Sequence, residues 1–176
     1  MPTVDQDRAQ CRVFAFKEGL LSAVGHDVLL KVGRFRLEGE GDTLKASFEA
    51  GSLQVVDAMK QGRPNPGALS DKDKRTIEGY VRDDILHSRR YPTVTFEATE
   101  IERDEDGAEV TGDLTLHGRT RSVTARIDRE GDELVTRVRL NQPDYGITPF
   151  KAMLGALKIQ PGVEVELRVP ADVLAE

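Results

Sequence analysis

Hydrophobic and polar residues alternate along most of this chain with a period of two. In LKASFEA the apolar positions are Leu44, Ala46, Phe48 and Ala50, with Lys45, Ser47 and Glu49 between them. TVTFEAT sets Val94, Phe96 and Ala98 on one face; EVTGDLTL, SVTARID, ELVTRVRL and VEVELRV repeat the pattern, the last through Val163, Val165, Leu167 and Val169. Such alternation is the signature of a strand with one dry and one wet side. The turn signals GEGD, DEDG, HGRT and EGDE separate these runs, and connections this short join antiparallel neighbours as hairpins. With CRVFAFK and LLKVGRFRLEG, the pattern predicts eight strands, roughly 11–17, 29–40, 43–55, 93–103, 108–117, 120–129, 132–141 and 162–170.

Two segments break the period. DKDKRTIEGYVRDDILHS brings Ile77, Tyr80, Val81, Ile85 and Leu86 near one helical face, with Ser70 as N-cap ahead of Asp71 and Asp73, and so predicts a helix over about 71–87. It must stop before Tyr91-Pro92, because the residue preceding proline disfavours the helical region. TPFKAMLGALK predicts a second short helix over about 148–156, and residues 1–9 read as a flexible N-terminal tail on a single domain spanning 1–176.

Eight antiparallel strands with one dry face can close into a barrel, which removes both exposed edges. The fold class expected is therefore mainly β, an eight-stranded antiparallel barrel with one covering helix. Ala46, Ala50, Ala98, Gly112 and Ala125 are small among the inward positions. They either leave a cavity or pack against the helix, and the pattern alone favours neither.

Length and charge narrow the classes. At 176 residues the chain suits one domain with a sizeable core. Its net charge of −6 is interspersed along the chain, which argues against a nucleic-acid footprint. No segment approaches the roughly 18 uninterrupted apolar residues of a membrane helix, so stable membrane insertion is not expected. MPTVDQDRAQCRV has no basic and apolar leader pattern, and the localisation expected is cytoplasmic, or periplasmic for a chain from which a leader was removed. The single cysteine, Cys11, excludes an intramolecular disulfide framework and reads as a small buried hydrophobe.

Four blocks together resemble the YceI-like family. GDLTLHGRTRSVTARI is similar to its G-D-L-T-x-x-G-x-T hairpin, and YPTVTFEATEIE resembles its K-Y-P-x-x-x-F strand after the helix. VGHDVLLKVGRF is similar to its early H…GxF segment, and PDYGI to its x-D-[FY]-x-I motif. KRTIEGYVRDDIL stands where the family has a segment with a double phenylalanine. The resemblance implies a lipocalin-like extended barrel that binds polyisoprenoids or other long-chain lipids. On that reading the tunnel is lined by inward residues of suitable type: Phe14, Phe35, Leu37, Phe48, Phe96, Leu114, Leu116, Val138 and Val165.

SAVGHDVLL places Ser22, His26 and Asp27 within six positions. A hydrolytic triad needs its members to converge from separate elements, and successive strand residues point to opposite faces. No G-x-S-x-G elbow occurs, and no catalytic residue is assigned. The histidines His26, His87 and His117 fall on three different elements, so no metal ligand is assigned either, and His117 in the hairpin turn is expected to be solvated. His26, flanked by apolar residues, is the one polar contact proposed for a ligand, and Leu29 is expected to begin the inward face of its strand.

The function expected is non-enzymatic binding, for storage, transport or sequestration, of a long-chain apolar small molecule such as a polyisoprenoid or fatty-acid derivative. No cofactor is expected beyond that bound isoprenoid or lipid, and the sequence is compatible with a homodimer. Two alternatives stand beside it: a structural or interaction protein with a side-chain-filled barrel, and a small-molecule isomerase or hydrolase on the same barrel.

Overall fold

A computed structural model describes residues 2–18, 27–152 and 157–174. The strands are β1 (Thr3–Asp5), β2 (Gln10–Lys17), β3 (Asp27–Val32), β4 (Phe35–Glu40), β5 (Thr43–Glu49), β6 (Leu53–Lys60) and β7 (Arg63–Asn65), then β8 (Thr93–Arg103), β9 (Gly107–Leu116), β10 (Arg119–Glu130), β11 (Glu133–Asn141), β12 (Lys151–Ala152) and β13 (Leu157–Pro170). One α-helix, α1 (Asp71–Tyr80), lies between β7 and β8. All described pairings are antiparallel.

Twelve of these strands form one curled sheet in the order β1-β4-β5-β8-β9-β10-β11-β13-β2-β3-β6-β7, with β12 beside β13. Its end strands, β1 and β7, do not pair with each other, so among the described residues the ladder is a curled half-barrel and not the closed eight-stranded ring expected. The count rises by three short strands, β1, β7 and β12, and because two of the expected strands bend and change partners midway. The strand over 29–40 divides at Gly33-Arg34 into β3 and β4; β3 pairs with β2 and β6, and β4 with β1 and β5. The strand over 43–55 divides at the 3₁₀ turn Ala50–Ser52. There the Ser52 hydroxyl donates to Glu49 O (2.7 Å) and accepts from Arg34 N–H (3.0 Å), a local side-chain bond that competes with the ladder.

The helix forms where its cap and apolar face predict it. Ser70 Oγ accepts the Asp73 N–H at 3.0 Å and Asp73 accepts the Ser70 N–H in return, closing a capping box. Past Tyr80 the chain widens into a π-turn, Val81–Ile85, so the helical stretch ends two residues short of the expected 87. Ile77 and Val81 pack on Val28, Leu30 and Val55, while Glu78 Oε1 accepts the Val55 N–H at 2.9 Å. That bond satisfies a donor on β6 that no neighbouring strand takes, the usual hazard of a sheet edge.

Two further expectations are corrected. Lys151–Ala152 is extended and pairs with Lys158 and Leu157, so no helix begins at 148. Thr148 precedes Pro149, which keeps it out of the helical region, and Phe150 O accepts the Ile159 N–H at 3.0 Å. The N-terminus is no free tail: Val4 lies opposite Leu37 with 4% of its surface exposed, and Gln6 Oε1 accepts the Phe35 N–H at 3.1 Å. Burying that one valine ties down the strand.

The buried apolar residues do not form one central core. Among the described residues most of them fall into three clusters: Val4, Cys11, Phe35, Leu37 and Val169; Val28, Leu30 and Val55 beneath α1; and Leu114, Tyr145 and Ile147. A shell of small cores around the curl leaves the middle open.

Candidate functional site: an apolar cavity along the sheet

The inner face of the sheet surrounds a cavity of about 540 Å³. Native interiors seldom hold voids much larger than a water molecule, whereas ligand pockets run from about 300 to 1,000 Å³. The wall comes from every main element: Val13 and Ala15 of β2, Ala46 and Phe48 of β5, Leu114 and Leu116 of β9, Ala125 and Ile127 of β10, and Val163 and Val165 of β13. Ile77, Tyr80, Val81, Ile85 and Leu86, on α1 and the turn after it, cover one end.

Of the residues expected to line a tunnel, Leu37, Phe48, Phe96, Leu114, Leu116, Val138 and Val165 stand in this wall. Phe35 is absent from the wall, although Phe48 opposite it and Leu37 two positions on belong to it. It is 3% exposed, and its ring stacks on Phe48 with centroids 5.8 Å apart. Phe14 is on the wrong face: β2 turns Cys11, Val13, Ala15 and Lys17 inward, and the Arg12 guanidinium lies 5.3 Å from the Phe14 ring on the other side. Both faces of CRVFAFK carry apolar residues, so alternation alone could not choose between them, and the wrong choice inverts every residue of the strand. Leu29 pairs with Phe14 and is likewise absent from the wall, which β3 builds from Val28, Leu30 and Val32. Ser22 and His26 lie outside the described residues; Asp27 is described, and its Oδ1 accepts the Lys17 N–H at 2.7 Å.

The small inward residues divide into two roles. Ala46, Ala50 and Ala125 border the cavity, whereas Ala98, opposite Gly112, is absent from its wall. Gly112 instead seats an aromatic ring, for a Cβ there would lie 2.5 Å from Phe96 Cζ. Strand alternation does not reach the helix residues and Phe150, which also stand in the wall. The helical face at Ile77, Tyr80, Val81, Ile85 and Leu86 was already a signal that something apolar lay beneath it.

Few polar groups reach the wall. Glu49 pairs with Arg34 at 3.7 Å, and Gln142 Nε2 donates to Gln160 O at 3.1 Å. Thr136 Oγ1 is buried with no hydrogen-bond partner. Cys11 also borders the cavity, and burial pushes its thiol up to about 12, so at neutral pH it is a protonated hydrophobe and a poor nucleophile. Lys17 and Lys158 are the remaining charged residues of the wall.

His87 and His117, from different elements, do converge: their ring centroids are 5.5 Å apart, with Tyr91 4.5 Å from His117. His117 is less solvated than its turn position suggested. Nδ1 lies 3.1 Å from Tyr145 O, and Nε2 is buried without a partner. His117 and Gly118 both take positive φ, as the two central residues of a type I′ hairpin turn require, and the close approach of Tyr91 to Gly118 fixes the ring beside it. Among the described residues no group of three or more His, Cys, Asp or Glu is arranged to hold a metal.

On the outer face, Glu166 is only 5% exposed. It accepts from Arg12 Nε (3.1 Å), Arg137 Nε (3.0 Å) and Arg168 Nε (3.0 Å), which locks β2, β11 and β13 together. Burial by itself raises the carboxyl pKa, but the hydrogen bonds from Arg12 and Arg168 outweigh it and hold the group below the ordinary carboxylate range.

Comparison with known proteins agrees with this architecture. The family model described as YceI-like domain matches residues 7–171. A "UPF0312 protein" of Pseudomonas aeruginosa is 39% identical over 66 residues, covering 36% of this chain and 32% of that protein. "Protein YceI" of Escherichia coli is 42% identical over 52 residues, covering 28% and 27%. The matched stretch thus spans about a third or less of these relatives' own length. Among solved structures, Burkholderia cenocepacia BcnA superposes with a TM-score of 0.64 at 13% identity, covering 92% of this chain and 94% of its own. A polyisoprenoid binding domain from Saccharophagus degradans, implicated in plant cell wall breakdown, superposes with a TM-score of 0.57 at 13% identity, covering 97% and 99%. At that identity the likeness is one of fold.

Proposed function

Because this chain belongs to the YceI-like domain family, we propose that it binds a long apolar molecule in the cavity, without transforming it, and serves to store, carry or sequester that molecule. The observation that carries the reading is the 540 Å³ apolar cavity bounded by three small cores. A barrel filled by its own side chains would have one continuous core and no such void. The Saccharophagus domain makes a polyisoprenoid the first chemical class to try.

The energetics suit such a ligand. Each buried methylene contributes ~0.8 kcal/mol, so a dozen supply on the order of 10 kcal/mol, against an association cost of several kcal/mol or more. What supports binding over catalysis is how few polar groups the wall has, and of these Glu49 is paired, Gln142 is hydrogen-bonded and Cys11 is protonated.

Native mass spectrometry of protein purified from its own host, followed by organic extraction, tests the proposal. A stoichiometric lipid is the expected result. Clean protein that also takes up neither prenyl nor acyl probes overturns it.

A further inference from the structure

We propose that His87 and His117 together hold one late first-row divalent ion, Zn²⁺ or Ni²⁺, in a site separate from the cavity. Neither histidine belongs to the cavity wall. His87 follows the π-turn and Leu86, and His117 opens the turn between β9 and β10, yet their ring centroids stand 5.5 Å apart. Two imidazoles bound to one ion, with metal–nitrogen bonds of about 2.0–2.1 Å, have ring centres roughly 5–6 Å apart. The observed spacing therefore needs no more than a turn of the His87 ring, and His87 is exposed.

His117 is set up as a ligand. A carbonyl only accepts, so the Nδ1 that lies 3.1 Å from Tyr145 O carries the ring proton and donates it. In the neutral ring Nε2 is then a bare lone pair, and it is buried without a hydrogen-bond partner. An acceptor buried in that state costs stability unless something fills it. Metal-bound histidines are arranged this way, the second nitrogen donating to a backbone carbonyl that fixes the tautomer and the ring's orientation. Tyr91 walls the His117 ring at 4.5 Å, and its N–H donates to His87 O at 2.9 Å, so the surroundings of both histidines are fixed together.

Two protein nitrogens are fewer than a dedicated centre supplies, and water completes the coordination. Among the described residues no carboxylate joins the pair, so a hard ion such as Mg²⁺ gains no ligand there, whereas imidazole suits Zn²⁺ and Ni²⁺. An ion so held ties the segment after the helical cover to the β9–β10 hairpin.

Tag-free protein freed of metal by a chelator, titrated with Zn²⁺, Ni²⁺ and Mg²⁺ by isothermal calorimetry and by thermal melting, tests the proposal. One Zn²⁺ or Ni²⁺ is expected per chain, with a rise in Tm because the ion binds the folded state, and no effect of Mg²⁺. Both histidines have positive φ, 46° and 53°, which asparagine tolerates, so His87→Asn and His117→Asn keep the backbone. Each is expected to weaken binding by about tenfold or more, at least what the loss of an outer partner costs, and to abolish the rise in Tm. His26→Asn is expected to change neither. In the unmodified protein the ring resonances of His87 and His117 shift together on addition of Zn²⁺. Absence of binding, an equal response to Mg²⁺, binding that survives either asparagine variant at 87 or 117, or a shift of only one of the two rings overturns the inference.

Discussion

Replacing Ala125 by leucine tests whether the interior is hollow, because the two possibilities give opposite signs. Ala125 is on β10, opposite Val110, and its side chain borders the void. If the space is open, the three added carbons bury themselves at ~0.8 kcal/mol each, about 2.4 kcal/mol before the leucine's lost side-chain freedom of ~0.5–1 kcal/mol. The net gain is about 1.5 kcal/mol, or roughly 3–6 °C in Tm for a domain of this size. If the interior is packed to ordinary density, the same change costs ~1–3 kcal/mol. Differential scanning calorimetry of ligand-stripped protein reads the sign directly. Titration with an apolar probe gives a second, independent reading, with affinity falling about tenfold or more as leucine occupies part of the site. A variant that melts lower by several degrees and binds as before would refute the hollow interior.

Glu166→Gln is expected to destabilise by about 2 kcal/mol at neutral pH, since it removes the charge that Arg12, Arg137 and Arg168 converge on. Because the folded-state pKa of Glu166 is lowered, its contribution is present above the ordinary value near 4.5 and is lost as pH falls through the lower folded value. Denaturant titrations at a series of acidic pH values should show that loss in the parent and a flatter profile in the variant; identical profiles would count against the clamp. Gly112→Ala is expected to cost about 2 kcal/mol, measured by urea unfolding, because the new Cβ would meet both Phe96 Cζ and Glu97 O at 2.5 Å. A neutral result would mean that both the Phe96 ring and the β8 backbone at Glu97 are free to move away.

Local pattern determined much of this protein. The strands over 93–103 and 132–141 were legible to within a residue or so, because each has one clearly apolar face. The helix was legible from its cap and its apolar stripe, both of which are local properties. Seven of the nine residues named for the tunnel stand in the cavity wall on the same grounds. The histidine in SAVGHDVLL, by contrast, lies outside the described residues.

Tertiary structure decided what alternation cannot encode. Phe14 and Val13 are both apolar neighbours on one strand, and only the pairing of β2 with β3 and β13 determines which of them turns inward. The bends at Gly33-Arg34 and Ala50–Ser52 meet each other, a serine side chain of one bonding the backbone of the other 18 residues away, a contact invisible to any short window. The segment around Lys151 is extended because Lys158 and Leu157 pair with it, overriding a helical composition. Arg12 meets Glu166 only through the pairing of β2 with β13, since the two are far apart in the chain and adjacent only across the ladder. Burial and alternation are short-range signals that a sequence carries residue by residue; register, bends and the convergence of distant charges are properties of the paired sheet.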